Sequence, residues 1–190
     1  MKTTIKTLGI LATLCLASAA SAISSYTYDF TEGSWGSGVR VFGDGLQINA
    51  RDVNGNVGSV TSRTDYGLGV AGDLDTLDFG ERLLLKFDEV VKFESFTVRW
   101  AGRDTVNVRV NGLGTVFSET GLKTGDSYNF DPNILGSIAL FEDKDYSSNN
   151  ERGYYLSSVT VSKVPDGGTT AALLGLGLAG LVGLRRRIAK

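Results

Sequence analysis

The sequence predicts an all-β fold, an antiparallel β-sandwich of jelly-roll kind, and three observations carry that expectation. Apolar and polar residues alternate through many short runs. Gly-, Asn- and Asp-containing turns separate those runs, and helical periodicity is scarce between the two ends of the chain. Successive side chains of a strand point to opposite faces, so alternation buries one face and leaves the other to water.

The first runs are 26–30 and 39–42. Leu46, Ile48 and Ala50 then alternate with Gln47 and Asn49, and Asn54-Gly55 separates them from a run at 57–62. Leu83, Leu85 and Phe87 alternate with Leu84, Lys86 and Asp88, and Phe96, Val98 and Trp100 with Ser95, Thr97 and Arg99. By that register Trp100 is a core residue. Gly102 and Asp104 interrupt the chain before Val106, Val108 and Val110, and Asn111-Gly112 follows ahead of 114–118. Runs at 137–141 and 154–162 complete the set, with Val159 and Val161 alternating against Thr160 and Ser162. Asn-Gly readily adopts positive φ, which favours tight hairpins. About nine or ten short strands without helical crossovers point to a sandwich; strand number alone leaves an immunoglobulin-like topology open beside the jelly roll.

The two ends differ from this middle. Lys2 and Lys6 precede an apolar stretch at 8–17, and Ala20-Ser21-Ala22 follows. A basic start, a short apolar core and a small-x-small site form a secretory signal peptide over 1–22, cleaved after Ala22, with Ala20 the alternative. The only cysteine, Cys15, lies inside it, and Leu14 is not the small residue that lipidation of Cys15 needs. At the other end, residues 167–184 carry no charge, and Arg185, Arg186 and Arg187 follow at once. Eighteen helical residues span about 27 Å, near the short limit for a bilayer core. The arginines would stay cytoplasmic, placing the middle outside. Ala171, Gly175, Ala179 and Gly183 recur every fourth residue, a strip on which another membrane helix could pack. The Gly175-x-Gly177-x-x-Gly180 spacing lacks the strand and acidic residue of a dinucleotide site and is compositional.

Between the ends, residues 23–163 hold 13 Lys and Arg against 20 Asp and Glu, a net charge of −7. So acidic a domain does not bind nucleic acid through charge. It has no cysteine, so its core must hold it without disulfides.

The tail has a specific order of parts: Val164-Pro165-Asp166-Gly167-Gly168, an apolar helix over 169–184, then the arginine cluster 185–187. This resembles the PEP-CTERM class of bacterial sorting signals, and its opening is similar to the VPDSG variant, with Gly167 where that variant usually has Ser. The resemblance implies recognition by an exosortase, a membrane protease or transpeptidase that processes the chain near the motif; signal peptidase is the partner expected to remove 1–22. It also implies, by association, exopolysaccharide and surface or matrix material. The block 67–100 is similar to a pattern found in many PEP-CTERM ectodomains, which supports the sandwich and implies no activity.

Catalysis has little to stand on. No histidine is present, which removes Ser-His-Asp and Cys-His arrangements and the common zinc sites. Paired carboxylates remain, but no spacing selects a pair. The domain is therefore expected not to be an enzyme, and to be structural or adhesive, with a carbohydrate-binding module as the alternative. Asp73, Asp75, Asp78 and Glu81 fall within nine residues, and such oxygen ligands suit Ca²⁺. Asp52, Asn54 and Asn56 have alternate ligand spacing, yet Val57 occupies the position of the EF-hand glycine. For both groups the competing reading is turn residues bonding their own backbone. Trp35, in a glycine- and serine-rich loop, is the residue placed to stack on a sugar, ahead of Tyr146, Tyr154 and Tyr155.

Overall fold

A computed structural model describes residues 24–32, 39–42, 45–71, 75–100, 104–111, 113–144, 153–164, 174–178, 181 and 185. The alternation at 46–50 does what its chemistry dictates. Leu46, Ile48 and Ala50 are buried, and Gln47 and Asn49 between them are partly exposed. The same division, repeated along the chain, gives a mostly antiparallel β structure.

The strands are β1 (Ser25–Asp29), β2 (Arg40–Val41), β3 (Leu46–Arg51), β4 (Val57–Gly58), β5 (Val60–Arg63), β6 (Gly67–Val70), β7 (Arg82–Arg99), β8 (Thr105–Val110), β9 (Gly114–Thr120), β10 (Ser127–Asn129), β11 (Leu135–Asp143) and β12 (Tyr155–Lys163). Their hydrogen-bonded order is β5-β6-β12-β7-β11-β8-β9, with β1 on β12, β10 and β3 on β7, and β2 and β4 on β3. Every pairing of these strands is antiparallel.

The 18-residue β7 organises the rest. Its first half pairs with β3 and β11 and its second half with β12 and β10. Two runs expected as separate strands are one, because Asp88, Glu89 and Val90 continue the strand with their side chains in solvent. Along it the buried residues are first Leu83, Leu85, Phe87, Val91 and Phe93, then Phe96 and Val98. The parity changes at a bulge: Phe93 faces Val161 and Ser95 faces Thr160, which leaves Glu94 without an opposite residue. β12 has its own extra residue, Ser157, between Leu156 and Ser158. These offsets keep Phe96, Val98, Leu156, Val159 and Val161 in one core with the β8 valines and Phe141.

Trp100 is a correction to the register. It does not continue the buried series of Phe96 and Val98; it is only partly buried and stands outside the core. Its φ is +61°, left-handed backbone that ends the alternation just where the strand stops.

On the solvent side of the sheet, Glu142 is 2% exposed and sits among Arg109 at 2.7 Å, Arg82 at 3.4 Å and Lys144 at 3.5 Å. Three cations from three segments compensate the desolvation of one carboxylate. The compact unit made by all these strands runs from Ser24 to Val164. In the tail, residues 174–178 are helical. Among the described residues no helix is long and apolar enough to cross a membrane, and most of the expected 169–184 span lies outside them.

Candidate functional site: an aromatic–arginine cluster and two acidic loops

Tyr155 opens β12 between Tyr154, which is in the core, and Leu156, which is also in the core. It turns to the opposite face and is nevertheless only 1% exposed. What surrounds it there comes from two other segments. The β5–β6 hairpin carries Arg63 at the end of β5 and Tyr66 in the turn, and the end of β7 delivers Trp100. Tyr66 meets Trp100 edge to face, with ring centroids 4.5 Å apart, and both pack on Tyr155 at 5.6 and 5.8 Å. The Arg63 guanidinium lies 4.8 Å from the Tyr66 centroid and 5.2 Å from that of Trp100. A hydrogen bond to the Tyr155 side chain, with the neighbouring phenols and Asp75, holds Arg63 above its ordinary range of ionisation.

The backbone is shaped to allow this. Gly67, at φ +124°, lies so close to β12 that a Cβ there would collide with the Leu156 carbonyl. Only glycine lets the hairpin settle onto that strand, where the Ser157 hydroxyl donates to the Tyr66 carbonyl at 2.5 Å. Trp100 is pinned in its left-handed conformation by its own N–H donating to Thr124 Oγ1 at 3.0 Å, beside the Gly125 N–H bond to the Val98 carbonyl at 2.9 Å. That conformation costs a side-chain-bearing residue about 1–2 kcal/mol. Tyr66 and Trp100 are both partly exposed.

The acidic residues form a different arrangement. Asp52 Oδ1 accepts the N–H groups of Asn54 and Asn56, and Oδ2 accepts Asn56 Nδ2, a closed Asx turn. The Asn56 side-chain bond is the main cause holding the Asp52 carboxyl below the usual range. Asp78 Oδ1 accepts the Phe79 N–H, and Glu81 Oε2 accepts the Asp78 N–H at 3.0 Å. The two loops are neighbours in space, since a Cβ added at Gly80 would lie 2.9 Å from Val53 Cγ2, and the charges of both Asp78 and Asp52 act on Glu81. Burial first, then those charges, push the Glu81 carboxyl up from 4.5 to about 7 against the opposing bond from Asp78. Asp73 lies outside the described residues. Among the described residues, no three His, Cys, Asp or Glu side chains are arranged to hold a metal ion.

A pH-dependent stability follows. Because the folded state holds the Glu81 proton more tightly than the unfolded chain, ionising Glu81 opposes folding. The cost is absent below about pH 4.5, grows between 4.5 and 7, and is complete above 7. Glu81 is only partly buried, so screening reduces the nominal linkage to about 1–2 kcal/mol. Glu81→Gln, which keeps an acceptor for the Asp78 N–H, should therefore be about 1–2 kcal/mol more stable than the parent at pH 8. Urea unfolding at pH 8 and pH 4.5 checks this. The gain should vanish at the lower pH, and equal stabilities at pH 8 would rule out electrostatic strain at Glu81.

A third polar group has no sequence signature at all. Asp104 and Asp143 are 3% and 2% exposed, and the Thr105 N–H donates to Asp143 Oδ1 at 3.2 Å. Tyr154 is wholly buried close by, and burial together with Asp143, Glu142 and Asp104 drives its hydroxyl well above the ordinary range. That placement removes Tyr154 from the sugar-stacking residues. Trp35 and Tyr146 lie outside the described residues, as do Ala20, Ala22, Pro165, Asp166, Gly167, Gly168, Arg186 and Arg187. Val164 is described and exposed at the end of the β unit, and Arg185 is described as helical and exposed.

The comparison with known families falls on the tail. The VPDSG-CTERM motif matches residues 163–188. The chain carries a VPDSG-CTERM sorting signal. The match spans the Val164–Gly168 pentapeptide, the apolar segment and the arginine cluster, and tolerates Gly167. The VPDSG-CTERM signal points to an exported protein. No curated protein matches the chain.

Proposed function

We propose that this chain is an exported bacterial cell-surface or extracellular-matrix protein, sorted by an exosortase through residues 164–190, with a structural or adhesive, non-catalytic ectodomain. The VPDSG-CTERM match at 163–188 is the observation that carries this reading. A β unit that ends at Val164, the first residue of the motif, supports it, because cleavage there would release a complete fold. The all-antiparallel pairing, with register shifts in β7 and β12, supports reading this β unit as a jelly-roll-like sandwich, an element suited to a surface or matrix. In this scheme signal peptidase cuts after Ala22, the 169–184 helix holds the precursor in the membrane, and Arg185, Arg186 and Arg187 fix its orientation.

The test is the C-terminus of the mature protein from a host with a matching exosortase. Mass determination should find a chain ending within or near residues 164–168. A surface fraction still ending at Lys190 would overturn exosortase sorting and leave a plain membrane anchor.

A second reading, a carbohydrate-binding module that retains exopolysaccharide, is favoured by one observation. The partly exposed Tyr66 and Trp100 lie outside the hydrophobic core and share an arginine.

A further inference from the structure

Three features of the aromatic–arginine cluster are more than packing requires. Tyr66, Trp100 and Tyr155 form a group apart from the main core cluster. Trp100 is held in a backbone conformation that bulky residues avoid, and the bond from its N–H to Thr124 keeps it there. Arg63 is itself exposed, yet it is stacked against two rings and hydrogen-bonded to a third side chain. A free surface arginine loses considerable rotamer entropy when it binds, and the contacts already made by this one reduce that cost. A stacked guanidinium also keeps its in-plane N–H donors for an acceptor beside the rings.

We infer that Arg63, Tyr66 and Trp100, backed by Tyr155, form a saccharide-binding subsite in which a pyranose ring packs its C–H face on the exposed aromatic surface and presents an oxygen acceptor to Arg63. The inference rests on the carbohydrate reading above and moves its centre from Trp35 to this cluster. The chemistry matches on both sides. A sugar ring has an apolar C–H face and a polar rim, and a binding site pairs large rigid aromatic contacts with a few placed donors. Two kinds of saccharide share that description, a neutral glycan offering hydroxyls and a uronate offering a carboxylate for a bidentate bond. Asp75 acts electrostatically on Arg63 without removing its donors.

The chain has two tryptophans, so Trp35→Phe leaves Trp100 as the only indole reporter. The experiment titrates the detergent-solubilised exported protein carrying Trp35→Phe with a cello-oligosaccharide and with an oligogalacturonate, reading tryptophan emission. A saturable change with at least one probe is expected. Arg63→Gln should weaken that binding by about tenfold, as loss of a hydrogen bond to a charged group does, and Tyr66→Ala should abolish it. Arg63→Gln should lower the melting temperature by only a few degrees, as loss of an exposed cation–π contact does, with unfolding still cooperative, which separates binding from folding. Salt distinguishes the ligands, because uronate binding weakens with ionic strength and neutral-glycan binding does not. In parallel, the parent chain with both tryptophans is passed over gels of the same sugars. Retention of the parent with silent Trp100 emission, or binding indifferent to Arg63→Gln and Tyr66→Ala, overturns this subsite and leaves the carbohydrate reading intact. No retention of the parent on either gel overturns both.

Discussion

Phe96→Ala should lower the stability of the β domain by about 3–5 kcal/mol. Phe96 is 1% exposed, and its ring is the hub of an aromatic group with Phe117 at 4.9 Å, Phe130 at 5.3 Å, Phe141 at 5.4 Å and Tyr128 at 5.8 Å. Those neighbours come from β9, β10, β11 and the segment just after β10, so each is held by a different stretch of backbone. Truncation would leave a cavity that no single strand can move to fill, which places the cost high in the usual range. Domains of this kind are stable by roughly 5–15 kcal/mol, so the variant should sit close to its unfolding threshold at physiological temperature. Phe79→Ala is the contrast, because Phe79 is 39% exposed and should cost less than about 1.5 kcal/mol. Urea unfolding of both variants against the parent measures the difference. A Phe96→Ala loss below about 1 kcal/mol would show that the site collapses freely and that the aromatic group is not the structural centre.

Pro165→Ala and Gly168→Leu should leave membrane insertion intact and stop maturation, so that uncleaved chain accumulates in the membrane fraction. In the proposed scheme, insertion depends on the uncharged 169–184 stretch and the arginines behind it, which both substitutions spare. Processing in that scheme depends on a local shape. Pro165 fixes its own φ and biases Val164 to an extended conformation, the form a protease cleft accepts. Gly167-Gly168 removes side chains where the enzyme would approach the backbone. Replacing Arg185, Arg186 and Arg187 with Gln should have a separate effect, loosening retention and orientation. Membrane fractionation with C-terminal mass determination distinguishes the outcomes. Normal processing of both motif variants would reduce the tail to a hydrophobic anchor, whatever its likeness to a sorting signal.

Much of the strand framework was legible because alternation is a direct record of one buried face. The runs at 46–50, 83–87, 105–110 and 159–162 all lie within strands with the expected residues inside. Where alternation fails, the reason is physical. β6 is buried at all four positions, Gly67, Leu68, Gly69 and Val70, and half of those are glycines with no hydrophobic side chain to register a pattern. β10 has three residues, Ser127, Tyr128 and Asn129, too few to show a period. Trp100 kept the parity of Phe96 and Val98 in the sequence, and one left-handed residue cancelled it in space.

The sequence by itself determined the sorting signal, because that motif is encoded by consecutive residues and needs no fold to be read. It also determined the β class, since period-two burial is local. Only the tertiary structure decided that Arg63, Tyr66, Trp100 and Tyr155 would share one site, and that Asp52 would act electrostatically on Glu81. Those groupings depend on which strands pair, on two bulges that shift the side-chain parity, and on a glycine that lets a hairpin lie against β12. Such contacts join residues tens of positions apart, and no short-range pattern in a chain records the partner it will meet through space.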